Sequence, residues 1–279
     1  MKRIITHVNP DLDAIASAWL IQKFLPGWEE AEISFCQAET TFDNKLVDSD
    51  PDILHVDVGL GKLDHHQTNS FTCASKLSLD FILEKRKGQE LSSLNSEALK
   101  MIVKTVNEID NAHDSSWSEV KEERYDFYLH SILSGLRRMG KTDIEVVQYG
   151  FLGLNAILKN LKAGIKAKEE IKKGIEFQTP WGKAIALETG NELFLWESEK
   201  AGYILAAKKD PDEGNVRIYA RYDSDVDLKK AYQKLKEMDK ESDWFLHSSS
   251  KLLLNGSRVK DMRPTKLSLE EVIEVLKNG

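Results

Sequence analysis

The stretch 53–67, I-L-H-V-D-V-G-L-G-K-L-D-H-H-Q, constrains this chain more than any other. It opens apolar around His55, as a short buried strand does. Asp57 falls at the end of that strand, Gly59 and Gly61 mark a turn, and Asp64, His65 and His66 follow consecutively. Two adjacent histidines between carboxylates are costly to bury without a partner. A divalent metal is a natural partner, because imidazole and carboxylate together suit ions such as Mn, Fe and Zn. The competing reading is a solvated loop that happens to be rich in His and Asp.

The N-terminus weighs against that competitor. Residues 2–7, K-R-I-I-T-H, read as a short strand, and the next residues are Val8, Asn9, Pro10, Asp11, Leu12 and Asp13. His7, Asp11 and Asp13 therefore form H-x-x-x-D-x-D on the loop between a first strand and a first helix. In open α/β sheets such loops lie at the carboxyl edge of the strands, where ligands bind. If the strand ending near Asp57 is parallel to the first, both clusters reach the same edge. A helix N-cap role explains one of the two aspartates, but neither both nor His7.

H-x-x-x-D-x-D, a strand-end Asp and the triplet D-H-H resemble the DHH phosphoesterase superfamily. The short gap between Asp57 and Asp64, the trailing Gln67 and the E-I-D-N at 108–111 look most like the branch of melanocyte-proliferating-gene exonucleases. The resemblance covers about the first 115 residues. It implies His7, Asp11 and Asp57 on one metal and Asp13, Asp57, His65 and Asp110 on a second, with Asp57 bridging. It also implies that His66 faces the substrate phosphate or protonates the leaving oxygen, while Asp64 orients a histidine ring. Asp57, His66 and Asp64 are thus the expected catalytic group.

The 279 residues exceed one typical domain and fit two. The expected fold class is α/β: a mainly parallel-sheet N-terminal DHH-type domain over 1–140, a helical connector over 141–176, and a smaller α+β domain over 177–279. Helices are expected over 13–25, 76–85, 93–109, 125–139, 143–175, 228–238 and 270–276. Strands are expected over 2–7, 31–36, 183–187, 202–208 and 216–221, the last two flanking a hairpin turn at 210–214. The polar loop 68–75 is expected either to offer hydroxyls and amides to a phosphate or simply to precede a helix.

In the second domain one span carries chemistry-bearing groups: His247, Ser249, Lys251 and, further on, Arg258. A histidine, hydroxyls and two cations suit a phosphate group. Many DHH proteins carry a second domain with a glycine-rich substrate motif. This chain has no triple glycine, so only the idea of a substrate-reading domain carries over. A polar turn before a strand explains the span equally well.

A formal net charge of −7 and a pI near 5.6 argue against a surface for duplex DNA. Two cysteines, Cys36 and Cys73, make no disulfide framework. The first residues lack the apolar core of a signal peptide, and no apolar run approaches membrane-spanning length. A cytoplasmic protein without membrane contact is the expectation; its oligomeric state is left open. The resemblance implies hydrolysis of phosphodiester or phosphomonoester bonds in short single-stranded RNA or nucleotides, by water activated between two divalent ions. Mn2+ fits the oxygen-dominated ligand set best, with Mg2+ or Co2+ as alternatives. Rival readings are a pyrophosphatase or small-metabolite phosphatase, and a non-catalytic sensor of metal or nucleotide.

Overall fold

In the computed structural model, which describes residues 1–256 and 261–279, the chain forms two units, Met1–Lys162 and Ala163–Gly279. The first is built on three short parallel strands, β1 (Arg3–His7), β2 (Glu32–Cys36) and β3 (Ile53–His55), in the order β2-β1-β3. Ile4 and Ile5 of β1 are fully buried, and Ile5 stands opposite His55 of β3 in the parallel register. The carboxyl ends of β1 and β3 therefore meet at one edge of the sheet. Strand β3 stops at His55, so Asp57 lies two residues past the strand rather than at its last position.

Helix α1 (Leu12–Phe24) leaves β1 at that edge. Its small residues Ala14, Ala16, Ser17 and Ala18 are buried together with Ile15, Trp19, Leu20 and Ile21. A helix covered on nearly every face has to be apolar nearly all round. Around it pack α2 (Ala74–Lys85), α3 (Ser93–Asp110) and α4 (Leu129–Arg138). The long helix α5 (Asp143–Ile171) begins in the first unit and ends in the second. The indole nitrogen of the buried Trp19 donates to Asn155 of α5 at 3.1 Å. Gly150 permits a close approach there, since a Cβ on it would stand 2.6 Å from Ile15 Cγ2.

The expected helix over 125–139 starts later, at Leu129. Residues Glu123–Phe127 form a 3-10 turn, and Tyr128 is extended at φ −72° and ψ 150°, which breaks the helix before it can run back. Helix α5 also ends sooner than expected, at Ile171, because Ile175–Thr179 is a strand, β4.

The second unit has a six-stranded mixed sheet, ordered β4-β5-β6-β7-β9-β8. Its further strands are β5 (Gly182–Glu188), β6 (Leu205–Lys209), β7 (Val216–Ala220), β8 (Trp244–Leu246) and β9 (Leu252–Asn255). Among its described strands only β5 and β6 pair in parallel, and a parallel pair needs a crossover. Helix α6 (Leu193–Lys200) supplies it; no helix was expected there. Side chains alternate across the sheet. Ala184, Ala186, Leu205 and Ala207 face the core shared with α7 (Lys229–Met238) and α8 (Leu269–Lys277), while Ile185 and Ala206 pack with Phe194 and Leu195 of α6. Ser268 and Glu271 close a capping box at the start of α8. Among the described residues no helix is long and apolar enough to cross a membrane.

Candidate metal centre

The loop that follows β1 turns at Asn9, whose φ is +55°, and reaches α1 through Asp11. One oxygen of Asp11 caps the helix by accepting from Ala14 N at 3.0 Å. Asp13, in the first turn, is fully buried and accepts from two backbone amides, Ala74 N at 2.7 Å and Ser75 N at 2.9 Å. Those amides open α2, so the positive end of one helix steadies a carboxylate on another. The amides of Ala74 and Ser75 are therefore used on Asp13 instead of standing free for a phosphate.

After β3, Asp57 adopts a left-handed backbone, φ +56°, which a non-glycine residue rarely takes without a local reason. Its amide donates to Leu63 O at 3.0 Å, closing the loop that contains Gly59, itself at φ +83°. A Cβ on Gly59 would stand 3.3 Å from Thr40 O, so both the dihedral and the space call for glycine. The buried Asp64 accepts from Leu60 N at 2.7 Å and from His66 N at 3.1 Å, and Gln67 ties the same loop by donating to Gly61 O and Asp64 O.

These loops bring His7, Asp11, Asp13, Asp57, His65, His66 and Asp110 together. Three sets have ligand atoms within 4.8 Å of one another: His7, Asp11 and Asp57; Asp13, His65 and Asp110; and Asp57, His65 and His66. Asp57 lies between the first two. Its Oδ2 is 3.4 Å from His7 Nε2, and its Oδ1 is 3.4 Å from His65 Nε2. His65 Nε2 is also 3.5 Å from Asp110 Oδ2 and 4.0 Å from Asp13 Oδ2. His66 is more exposed, and its Nδ1 sits 2.6 Å from Asp64 Oδ1.

The electrostatics fit a cation site. Burial opposes charge on His7, yet Asp57, the Val8 carbonyl and Asp11 outweigh it and raise its pKa to about 9. Asp57 does the same for His65, against burial, and its pKa also rises to about 9. Burial and the neighbouring charges of Asp57 and Asp110 push Asp13 up to about 7. Burial likewise lifts Asp110 to about 6. Asp57 stays ionised: burial works against it, but His65 and His7 hold its carboxyl below the usual range. Asp57 Oδ1 and His65 Nε2 are both buried with no hydrogen bond among the described residues. Crowded carboxylates that raise each other's pKa, with orphaned donor atoms between them, suit bound dications. These groups could hold metal ions.

Sequence reading alone missed two supports. The amides of Ala74 and Ser75 reach Asp13 across a long stretch of chain that shows no local pattern. Asn111, directly after Asp110, donates to Thr72 O at 3.0 Å and Asn107 O at 2.9 Å, tying the end of α3 to the loop before α2. The remaining expected residues belong to the second unit. His247, Ser249 and Lys251 form the turn between β8 and β9, with His247 Nδ1 2.8 Å from Ser249 Oγ. The ammonium of Lys251 donates to the carbonyls of Ser224 and Val226, which engages it within that unit. Arg258 lies outside the described residues.

No family model matches the chain, and no curated protein does. Solved structures resemble it at low identity. An uncharacterized protein from Helicobacter pylori G27 is 12% identical over 99% of this chain and 98% of its own, with a TM-score of 0.25. RecJ from Thermus thermophilus, solved in complex with Mg2+, is 11% identical with a TM-score of 0.33; the match covers 99% of this chain and 49% of that one. The DHH domain of a member of the s1p family of ribosomal proteins is 12% identical with a TM-score of 0.34, over 99% of this chain and 85% of that one.

Proposed function

We propose that this chain is a metal-dependent phosphoesterase acting on short single-stranded RNA or nucleotides. The observation that carries the reading is Asp57, whose two oxygens face two different histidines at the same 3.4 Å, each within its own carboxylate set. One carboxylate shared in this way is what holds two dications close. His7, Asp11 and Asp57 would hold one ion, and Asp13, Asp57, His65 and Asp110 the other, with Mn2+ suiting this oxygen-rich set best. Bound there, such ions supply Lewis-acid chemistry, lowering the pKa of water and offsetting charge on a phosphoryl oxygen.

The chain's own residues do the rest. Asp64, buried and held by the Leu60 and His66 amides, orients the His66 ring through Nδ1. In the imidazolium form Nδ1–H donates to Asp64, and the second proton, on Nε2, passes to the leaving oxygen and leaves the ring neutral. Asp13, fixed by the amides of α2, keeps one set in place while substrate comes and goes. The D-H-H and H-x-x-x-D-x-D resemblance supplies the substrate class. Hydrolysis of labelled short RNA, a dinucleotide and pyrophosphate with Mn2+ tests it, using wild type and Asp57→Asn. Mononucleotide release lost in the variant supports the reading. Cleavage of pyrophosphate alone moves the substrate, and no turnover on any of them removes the enzyme assignment.

A further inference from the structure

Among the described residues Arg137 forms no ion pair, and one edge of its guanidinium is without a hydrogen bond. It lies in the last turn of α4, a helix that packs against α1, whose first residues carry Asp11 and Asp13. The chain then returns to Asp143, which accepts from Asn9 N at 3.2 Å, in the loop between His7 and Asp11. Asp11 and Asp143 are the charges that act on Arg137. Yet its Nε and Nη2 are buried and make no hydrogen bond among the described residues, and no ion pair joins it to either aspartate. A buried guanidinium edge without acceptors is costly, and native proteins rarely leave one so. The neighbouring Arg138 is exposed.

Nε–H and Nη2–H form one side of the guanidinium fork and donate in parallel. That edge matches two oxygens of a phosphate or carboxylate. No carboxylate of the described residues takes it, and the cluster beside it is built for cations. A dianion arriving with substrate satisfies both. We infer that Arg137 is a substrate-binding residue whose Nε–H and Nη2–H take two oxygens of a phosphoryl group beside Asp11. This rests on the phosphoesterase reading for the identity of the anion, and on the orphaned guanidinium for its place. Arg137 takes no part in proton transfer. It holds and orients the group to be cleaved, so it should affect binding more than turnover.

Calorimetric titration of inorganic phosphate into the Mn2+-loaded full chain tests this, with Arg137→Gln, Arg137→Lys and the control Arg138→Gln. Two charge-assisted hydrogen bonds are at stake, so a loss of about tenfold or more is expected. Arg137→Gln should weaken phosphate binding at least that much, Arg137→Lys partly, and Arg138→Gln not at all, with Mn2+ content unchanged. Thermal unfolding gives a second readout. Without phosphate, Arg137→Gln should unfold no earlier than wild type, because it removes a guanidinium edge buried without acceptors, and it should lose the upward shift that phosphate gives. Unchanged phosphate affinity in Arg137→Gln, or no phosphate binding by wild type, overturns the inference. So does a lower unfolding temperature without phosphate, since it means that the guanidinium has a protein partner. If wild type binds phosphate through Arg137 but cleaves no ester, only the phosphoesterase reading falls. If it cleaves RNA while Arg137→Gln binds phosphate normally, only the inference falls.

Discussion

Asp57 Oδ1 and His65 Nε2 face each other at 3.4 Å, both buried and both without a hydrogen bond among the described residues. They meet as an ion pair without hydrogen-bond geometry, so a cation between them could satisfy both, and a buried polar atom without a hydrogen bond costs about 1–3 kcal/mol. The other oxygen of Asp57 stands at the same 3.4 Å from His7 Nε2.

The backbone at Asp57 separates two substitutions that remove the same charge. Asparagine tolerates the left-handed region, whereas alanine carries its full penalty of about 1–2 kcal/mol. Asp57→Asn should therefore fold and unfold reversibly, and Asp57→Ala should be less stable than it by about 1 kcal/mol. Urea unfolding of the two metal-free variants measures the difference, and equal midpoints would contradict the backbone argument.

Metal uptake should release protons. At neutral pH His7 and His65, with pKa values near 9, carry protons that a bound cation must displace. Mn2+ affinity should accordingly rise with pH through that range. For the metal-free protein the sign is opposite. Histidines raised from 6.5 to about 9 contribute stability that is complete below pH 6.5 and lost as pH rises through 9. Asp13, raised to about 7, adds a loss in the same direction at lower pH. Unfolding scans from pH 6 to 9.5, with and without Mn2+, should show the metal-free protein weakening and the metal-loaded protein holding.

On the proposed phosphoesterase reading, Asp64 acts through His66, whose Nδ1 it touches, rather than on substrate. Asp64→Asn keeps an acceptor for the local amides but loses the charge beside Nδ1, so activity should fall by about 10- to 100-fold with metal content retained. The pH–rate profile should shift along with it, and a drop in rate without such a shift would point to a merely structural role.

Packing gives a check away from the centre. Gly150→Val sets a Cβ 2.6 Å from Ile15 Cγ2 and extends beyond it. Overpacking of this kind costs about 1–3 kcal/mol. In the second unit the ammonium of Lys208 is buried and lies 2.9 Å from Glu192, which is itself over half exposed. Glu192→Ala leaves that charge without its carboxylate and should cost about 1–3 kcal/mol, less than a wholly buried pair would. Denaturant midpoints for both variants report these costs.

Much of this was legible in the chain itself. The apolar and small residues of α1 and the 3.6-residue pattern of α3 set their lengths closely. The parallel sheet followed from strand, helix and strand in succession, and most of the site's residues stood in two short motifs. Helix α6 escaped notice because Leu193, Phe194, Leu195 and Trp196 run consecutively and show no helical period. The late start of α4 depends on Tyr128 being extended, which nothing in its composition signals. Arg137 reads in sequence as half of an arginine pair that either approaches the cleft or forms a solvated face, and only folding against α1 separates it from Arg138. The amides that hold Asp13 come from a helix start 61 and 62 residues on; such a pairing belongs to the fold and leaves no local trace.

The most direct measurement is a calorimetric titration of Mn2+ into the metal-free protein, with Asp57→Asn alongside. A shared carboxylate between two sets should give close to two equivalents in wild type and a loss of the second, or of both, in the variant. No binding by wild type, or the same two equivalents in Asp57→Asn, would contradict the account.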